Sequence, residues 1–396
     1  MVGWVVTKVL NNKGKLGFIT PYTLLKNKYY LRLRQYILEN YFINKIVDFS
    51  NFKVFEDAIV DSIILIISKY ISNDEIIYIR NIKDFGAKQY IYKHIKQKDF
   101  VKNSDFAFHF NNNEFIDKIF LENKKLKTII NFNQGIITGN NKELLTNSES
   151  NSCVKIIKGA DFNRYYLSFT NTYLDYTSKK IHRPRKKEIF EVVKLLLRQT
   201  GSYPIITIDE NKYYTLDTVH NGILINEDYS LKFIMTILNS KLLRFIYESS
   251  IQEQGKTFAQ VKIIYIDELP IKETTQISQQ SFIVKANLML ELNKIFQTKK
   301  DKFLSRINSN FDIDKLSKKL EAFYELNFKI FLKELKKKKI TLSLVEQDEW
   351  EEYFKNYQKE LLEIKAEIDK TDEDIDKMVY ELYGVSGEEI KVIEGV

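Results

Sequence analysis

The stretch Asp61–Ser68 reads DSIILIIS. Such a run is far too short to cross a bilayer, which takes about 20 apolar residues in a helix. Its length and β-branched content suit a strand buried on both faces, in a sheet sandwiched between helices. Similar signals surround it. Leu16–Thr20 is a short apolar strand closed by Pro21, and Ile43–Phe49 is another. Val2–Leu10 reads as the end of a helix, followed by the turn Asn11-Asn12-Lys13-Gly14. Between the strands, Leu31–Asn40 repeats apolar Leu33, Ile37 and Leu38 at helical spacing, with Arg32 and Arg34 directed away from that stripe. The expectation is a partial doubly wound α/β sheet. Three strands and one complete helix cannot cover both faces, so residues 1–70 read as a piece of a larger domain.

The later chain changes character. Residues 71–130 are mixed and poorly punctuated and read as a connecting region. Residues 131–275 are richer in aromatic, glycine and β-branched residues, with strands expected at Pro204–Asp209 and Gly222–Ile225 and one helix over Leu231–Tyr247. This predicts an α+β domain. Residues 276–396 form a charged helical region. There Met289, Leu292, Phe296, Phe303 and Ile307 recur at helical spacing, as do Ile313, Leu316, Leu320, Phe323, Ile330 and Leu335 after a cap region at Asp312 and Asp314. Long helices in an antiparallel pair or short coiled coil are expected.

Charge is unevenly spread. The chain carries +8, yet Thr341–Val396 holds 17 acidic and 6 basic residues, a net of −11, which leaves +19 on residues 1–340. A basic excess of that size fits a polyanionic partner, although a lysine-, asparagine- and isoleucine-rich composition inflates it everywhere. Cys153 is the only cysteine, so no intrachain disulfide or cysteine-based zinc site can form. No signal-peptide pattern opens the chain, and a cytoplasmic protein without membrane contact is the expectation.

Several chemistries lack their residues. The sequence contains no GxGxxG, no P-loop, no HExxH and no GxSxG. His94, His109, His182 and His220 have no ligand-like spacing, and no metal site is expected. The positive signal is basic and aromatic. Ile156–Leu167 (IIKGADFNRYYL) sets Lys158, Gly159, Asn163 and Arg164 beside Tyr165 and Tyr166. Lys179–Phe190 (KKIHRPRKKEIF) includes Arg183, Arg185 and Lys186 around Pro184. Lys194–Gly201 (KLLLRQTG) ends a strand with Arg198 and Gln199, and Gln252–Phe258 (QEQGKTF) carries Lys256 on a glycine loop. Arginine and glutamine can read base edges with paired hydrogen bonds, and lysine on a loop can contact phosphate. Each segment alone is equally a solvated basic loop; four together favour a double-stranded DNA partner.

The order of these segments resembles a known family. GKLGFITPYTLLKNKYYLRLRQYI followed by IVDFSNFKVFEDAIVDSIILIISK is similar to the second half of the catalytic domain in N6-adenine DNA methyltransferases of the type IIG restriction–modification class. FNQGIITGNNKELL, IIKGADFNRY, KLLLRQTG with YYTLDTVHN, and LNSKLLRFIYESSIQEQGKTFAQVKIIYIDELPI resemble the TaqI-type target-recognition domain that follows it. Asp376–Gly395 resembles the usual end of such enzymes. The resemblance implies a methyltransferase-like sheet at 1–70, DNA recognition at 131–275, and S-adenosylmethionine as the intact enzyme's cofactor. It also implies that Phe55 stacks on a flipped adenine; a core phenylalanine beside Asp61–Ser68 explains Phe55 equally well.

Two signatures of the family are missing here. One is the glycine-rich loop that holds S-adenosylmethionine; the other is the Asn/Asp-Pro-Pro-Tyr/Phe motif that grips the adenine amino group. The chain has four prolines, none adjacent to another. The expectation is a C-terminal portion of an adenine-specific enzyme that reads DNA, binds no cofactor alone and is completed by a missing or separately encoded N-terminal half. A stand-alone specificity subunit that recruits a partner enzyme is the alternative, and a remnant with an exposed sheet edge is a third reading.

Overall fold

Backbone pairing in the first hundred residues is organised around the isoleucine run. The computed structural model describes residues 10–12, 14–49, 54, 61–69, 75–80, 91–101, 103–108, 114–250, 260–313 and 315–395. The expected helix end at Val2–Leu10, apart from Leu10, and the stacking candidate Phe55 lie outside the described residues. The chain divides into two compact units, Met1–Asp117 and Lys118–Val396.

In the first unit, strands β1 (Lys15–Pro21), β2 (Phe42–Asp48), β3 (Ser62–Ser68), β4 (Glu75–Arg80) and β5 (Ile91–Lys96) form one sheet in the order β1-β3-β2-β4-β5. Helix α1 (Leu31–Asn40) lies between β1 and β2 in sequence. The β2–β4 pair is parallel and the other three are antiparallel, so the sheet is mixed. Ile63, Leu65 and Ile67 are fully buried on one face of β3, whereas Ile64 and Ile66 on the other are only half-buried among the described residues. Alternation thus re-emerges inside a run that looked uniform. The core joins that buried face to Leu24, Leu25 and Ile37. Strands β4 and β5 fall where the sequence seemed unpunctuated.

Arg34 departs from its expected place. The helical period put it away from the apolar stripe, yet it is 0% exposed. Its Nη1 donates to the carbonyls of Leu24 (2.9 Å) and Asn27 (2.8 Å), its Nη2 to that of Asp105 (2.8 Å) and its Nε to that of Phe106 (3.2 Å). Asp105 and Phe106 have φ of 58° and 51°, which costs non-glycine residues roughly 1–2 kcal/mol each. One planar guanidinium offsets that cost by pairing four turn carbonyls at once, of which that of Asn27 also accepts the Tyr30 N–H at 3.0 Å.

The second unit contains β6 (Lys124–Lys125), β7 (Ile130–Gln134), β8 (Leu145–Thr146), β9 (Cys153–Ile157), β10 (Phe162–Asn163), β11 (Tyr166–Leu167), β12 (Tyr173–Asp175), β13 (Lys194–Arg198), β14 (Ile206–Asp209), β15 (Tyr214–Thr215), β16 (Val219–Leu224) and β17 (Pro270–Ile271). Two four-stranded sheets have the orders β14-β13-β16-β7 and β15-β9-β12-β8. Strand β13 is central, and Lys194 to Leu197 are wholly buried. Ile157, Phe162, Leu196 and Val219 form one cluster between these elements, and Ile136, Ile156, Leu174, Phe190 and Tyr214 belong to another.

The helix expected over Leu231–Tyr247 is two helices, α2 (Leu231–Asn239) and α3 (Lys241–Ser250). Ser240 breaks them with φ −71° and ψ 157°, and its Oγ accepts the Leu243 N–H at 3.3 Å. This is an N-cap hidden inside an apolar periodic run. The C-terminal region is built on α4 (Gln276–Phe311), α5 (Phe328–Lys337) and α6 (Leu344–Tyr383). Salt bridges Lys285–Asp374 (2.8 Å) and Lys299–Glu360 (2.7 Å) run in opposite order along α4 and α6, so the pair is antiparallel. Phe303, Phe323, Phe331 and Phe354 are fully buried between them. The second apolar series is divided among Lys318–Glu321, a short 3-10 turn and α5 rather than one helix. No described helix is long and apolar enough to cross a membrane.

Replacing Arg34 with Met leaves the Leu24, Asp105 and Phe106 carbonyls without their donor and is expected to cost about 3 kcal/mol or more. Arg34→Lys should recover only part, because an ammonium cannot span the same fork. Amide hydrogen exchange of Ile63–Ile67 in the intact chain measures the loss; unchanged protection in Arg34→Met would contradict it.

Candidate nucleic-acid interface

Strand β13 carries the candidate base readers to one end of its sheet. Its first residue is anchored: Lys194 Nζ donates to Asp209 Oδ2 (2.6 Å) and to the Phe190 carbonyl (2.8 Å), and neither side chain of the ion pair is exposed. Asp209 also accepts the N–H groups of Asn211 (2.9 Å) and Tyr213 (2.8 Å). Burial pushes the Lys194 ammonium below its ordinary pKa, while Asp209 pulls it back up. Four residues later Arg198 reaches the sheet end, half-buried, with Gln199 beside it.

The turn Asp217–Thr218 draws other segments to that end. Gly159 N–H donates to Thr218 Oγ1 (3.0 Å), and Gln199 N–H to the Thr218 carbonyl (3.0 Å). Gln134 Nε2 donates to the Asp217 carbonyl (3.3 Å), and Arg185 Nη2 to Gln134 Oε1 (3.3 Å). Arg185 Nε reaches the Gly135 carbonyl at 3.2 Å. Arg198 Nη2 donates to Asn163 Oδ1 (3.1 Å) and to the Phe162 carbonyl, with its guanidinium 5.5 Å from the Phe162 ring. The result is a continuous polar belt from Arg185 to Asn163. Two glycines make it possible. A Cβ on Gly135 would lie 2.2 Å from the Leu216 carbonyl oxygen, and one on Gly159 would lie 3.0 Å from that of Thr218.

The expected site residues divide accordingly. Lys158, Arg185, Arg198 and Gln199 are brought together by this turn. Lys158 is exposed, its own N–H held by Asp161 at 2.8 Å. Arg183 pairs its backbone with Ile137 and leaves its side chain exposed, as is Lys186. Arg164 turns elsewhere, gripping Asp372 of α6 with both nitrogens at 3.0 and 2.6 Å. Lys256 lies outside the described residues. Sequence reasoning missed Gln134 and Thr218; the Asp-Thr pair between two strand signals was the available clue. It also missed Arg244, whose guanidinium lies 3.8 Å from the Tyr203 ring while Nε pairs with Glu248 at 2.8 Å. That stack fixes the loop after Gln199. No group of metal-ligating side chains occurs among the described residues.

Two buried groups set a pH dependence. His220, on β16, is pushed down from 6.5 to about 4 by burial. Asp376 is pushed up from 3.8 to about 6, chiefly by burial, although its carboxylate accepts the Lys241 N–H at 2.8 Å. The stability from neutral His220 is complete above pH 6.5 and is lost as pH falls towards 4. The stability from protonated Asp376 is complete below pH 3.8 and is lost as pH rises through 6. The two oppose each other between pH 4 and 6. Asp376→Asn is therefore expected to stabilise the chain at pH 7–8 by about 1–3 kcal/mol, with a steeper loss than wild type on acidification from pH 6.5 to 4. Denaturation midpoints across pH 4–8 measure both; parallel curves would contradict the assignment.

Residues 154–271, which hold most of this belt, match the TaqI-like C-terminal specificity domain. Residues 4–55 match the Eco57I restriction-modification methylase family, and residues 275–379 match a domain of unknown function, DUF8810. No curated protein matches the chain. Among solved structures, the type IIL restriction-modification enzyme MmeI in complex with DNA is similar over 99% of this chain and 51% of its own, at 11% identity and a TM-score of 0.52. The type IIG restriction endonuclease BpuSI aligns over 96% of this chain and 48% of its own, at 12% identity and a TM-score of 0.31. The chain thus spans about half the length of these enzymes, and the MmeI likeness is one of fold. At residues 154–271 the chain carries a TaqI-like C-terminal specificity domain, preceded by a match to a restriction-modification methylase family.

Proposed function

We propose that this chain reads DNA sequence for an adenine-N6 methyltransferase of a restriction–modification system. The observation that carries the reading is the Asp217–Thr218 turn, which gathers Lys158, Arg185, Arg198 and Gln199 at one sheet end inside the specificity-domain match. Gln199 and Arg198 are the base readers; Lys158, Arg183 and Lys186 meet phosphates; Arg185 and Arg164 position loops. Residues 131–275 form the reading domain. Residues 1–70 complete a methyltransferase sheet whose remaining strands, glycine-rich loop and Asn/Asp-Pro-Pro-Tyr/Phe motif come from a further N-terminal half. The 396 residues themselves do not fit S-adenosylmethionine, since they hold neither motif. Support for the methylase half rests on the match at 4–55.

Gel shifts across a salt series test the reading. Affinity should fall steeply with salt, by roughly 0.9 log units per log unit of salt for each phosphate contacted. Gln199→Ala and Arg198→Lys should lose preference among sequences selected from a randomised duplex pool while keeping non-specific binding. Lys158→Gln, Arg183→Gln and Lys186→Gln should each weaken all sequences alike. The chain alone should transfer no methyl group from S-adenosylmethionine to DNA. Absence of any binding at ~50 mM salt would refute the proposal.

A further inference from the structure

Positive charge is concentrated outside the two sheets, in the C-terminal helical region. Residues 294–339 hold 14 basic and 6 acidic residues, a net of +8 and equal to that of the whole chain. The segment covers the second half of α4, the helix Lys318–Glu321 and α5. Phe303 binds these pieces into one tip, its ring stacked on Phe323 at 3.7 Å and on Tyr353 at 5.5 Å between centroids. Helix α5 buries Phe331 and Leu335 inward. Its outward stripe is Lys329, Lys333 and Lys336, spaced i, i+4 and i+7 and all exposed. Lys318, Lys338 and Lys339 are exposed beside it. None of these six forms a salt bridge with a described carboxylate. The acid within α5, Glu334, is buried and bound to Lys337 (2.6 Å) and Ser317 (3.2 Å).

Helix stability does not place these charges. Like charges at i, i+4 repel, and Lys329 in the first turn opposes the helix dipole. Only the lysines at 336–339 gain from the C-terminal position. A row of unpaired ammonium groups on a rigid helix suits a polyanion with regularly spaced charge. Reach agrees with this. Phe282 of α4 packs on Phe233 of α2 at 5.3 Å, and Phe303 follows 21 residues later, about 31 Å along the axis at 1.5 Å per residue. That is about one turn of a DNA duplex.

We propose that this lysine-faced tip is a second, sequence-independent DNA contact, gripping phosphates that flank the sequence read by the β-sheet domain. The proposal gives a role to much of the region matching the domain of unknown function, and it rests on the DNA-reading function above. The test is the variant Lys329→Gln/Lys333→Gln/Lys336→Gln/Lys338→Gln in the full chain, with its thermal midpoint checked against wild type. On a mixed-sequence duplex of about 40 base pairs, the slope of log affinity against log salt should fall by about 2–4. On a duplex of about 6 base pairs, well short of one helical turn and too short to reach the tip, variant and wild type should bind alike. Sequence preference should be unchanged on the long duplex. A variant with the wild-type slope on the long duplex overturns this proposal and leaves the reading function standing; a wild-type chain that binds no DNA overturns both. A variant that binds DNA normally but dissociates a wild-type dimer also overturns it, in favour of the acidic α6 of a second copy as the lysines' partner.

Discussion

Lys194 and Asp209 are direct partners in the β13–β14 ladder, and both are wholly buried. An ion pair in that position fixes register as well as charge. Slipping β13 by one residue would turn Lys194 out of its pocket, leave the Asp209 carboxylate uncompensated and cost about 3–5 kcal/mol. The same slip would send Arg198 to the opposite face of the sheet. The pair therefore sets where the strand's polar end emerges. Its neighbours are locked in turn: β13 also pairs with β16, whose first residue follows Thr218. Register, turn and polar belt are one construction.

The first unit follows the same logic with different chemistry. There a single guanidinium gathers carbonyls from two separate turns. In both units a long, buried cation holds irregular backbone against a regular sheet. Loops that carry recognition must be irregular, and buried irregular backbone must find donors and acceptors somewhere. The fixed arginines and lysines supply them inside. Exposed ones such as Lys158, Lys329 and Lys339 remain available for solvent or for a polyanion.

Much of this was legible in the sequence. The strands at Lys15–Pro21, Phe42–Asp48, Ser62–Ser68, Lys194–Arg198, Ile206–Asp209 and Val219–Leu224 lie where apolar runs and their terminators put them. The first long helix, α4, follows from its period, whereas its antiparallel partner is α6 and not the second apolar series, which three shorter elements divide. What failed to show was non-local. Arg34 looked solvent-facing because helical spacing records only neighbours on the same helix, while its partners lie in two separate turns. Arg164 reads as a DNA contact in its own segment, yet its carboxylate partner is 208 positions away. Ser240 was masked by apolar residues that continued the period on both sides of it. Strands β4 and β5 alternate polar and apolar residues too weakly to stand out. Of the candidate site, residue types and strand ends were visible; the turn that assembles them was not.

The link from Lys241 to Asp376 has a practical consequence for engineering. The first N–H of α3 is satisfied by a carboxylate from α6, 135 positions downstream. Arg164, on the hairpin that also supplies Asn163, is held by Asp372 on that same helix. The structural module is therefore not the stretch between β7 and β17 alone. A transplant of the sheets from this chain has to move the long C-terminal helices with them. A graft cut at residue 271 would carry the reading surface away from two of the carboxylates that hold it in shape.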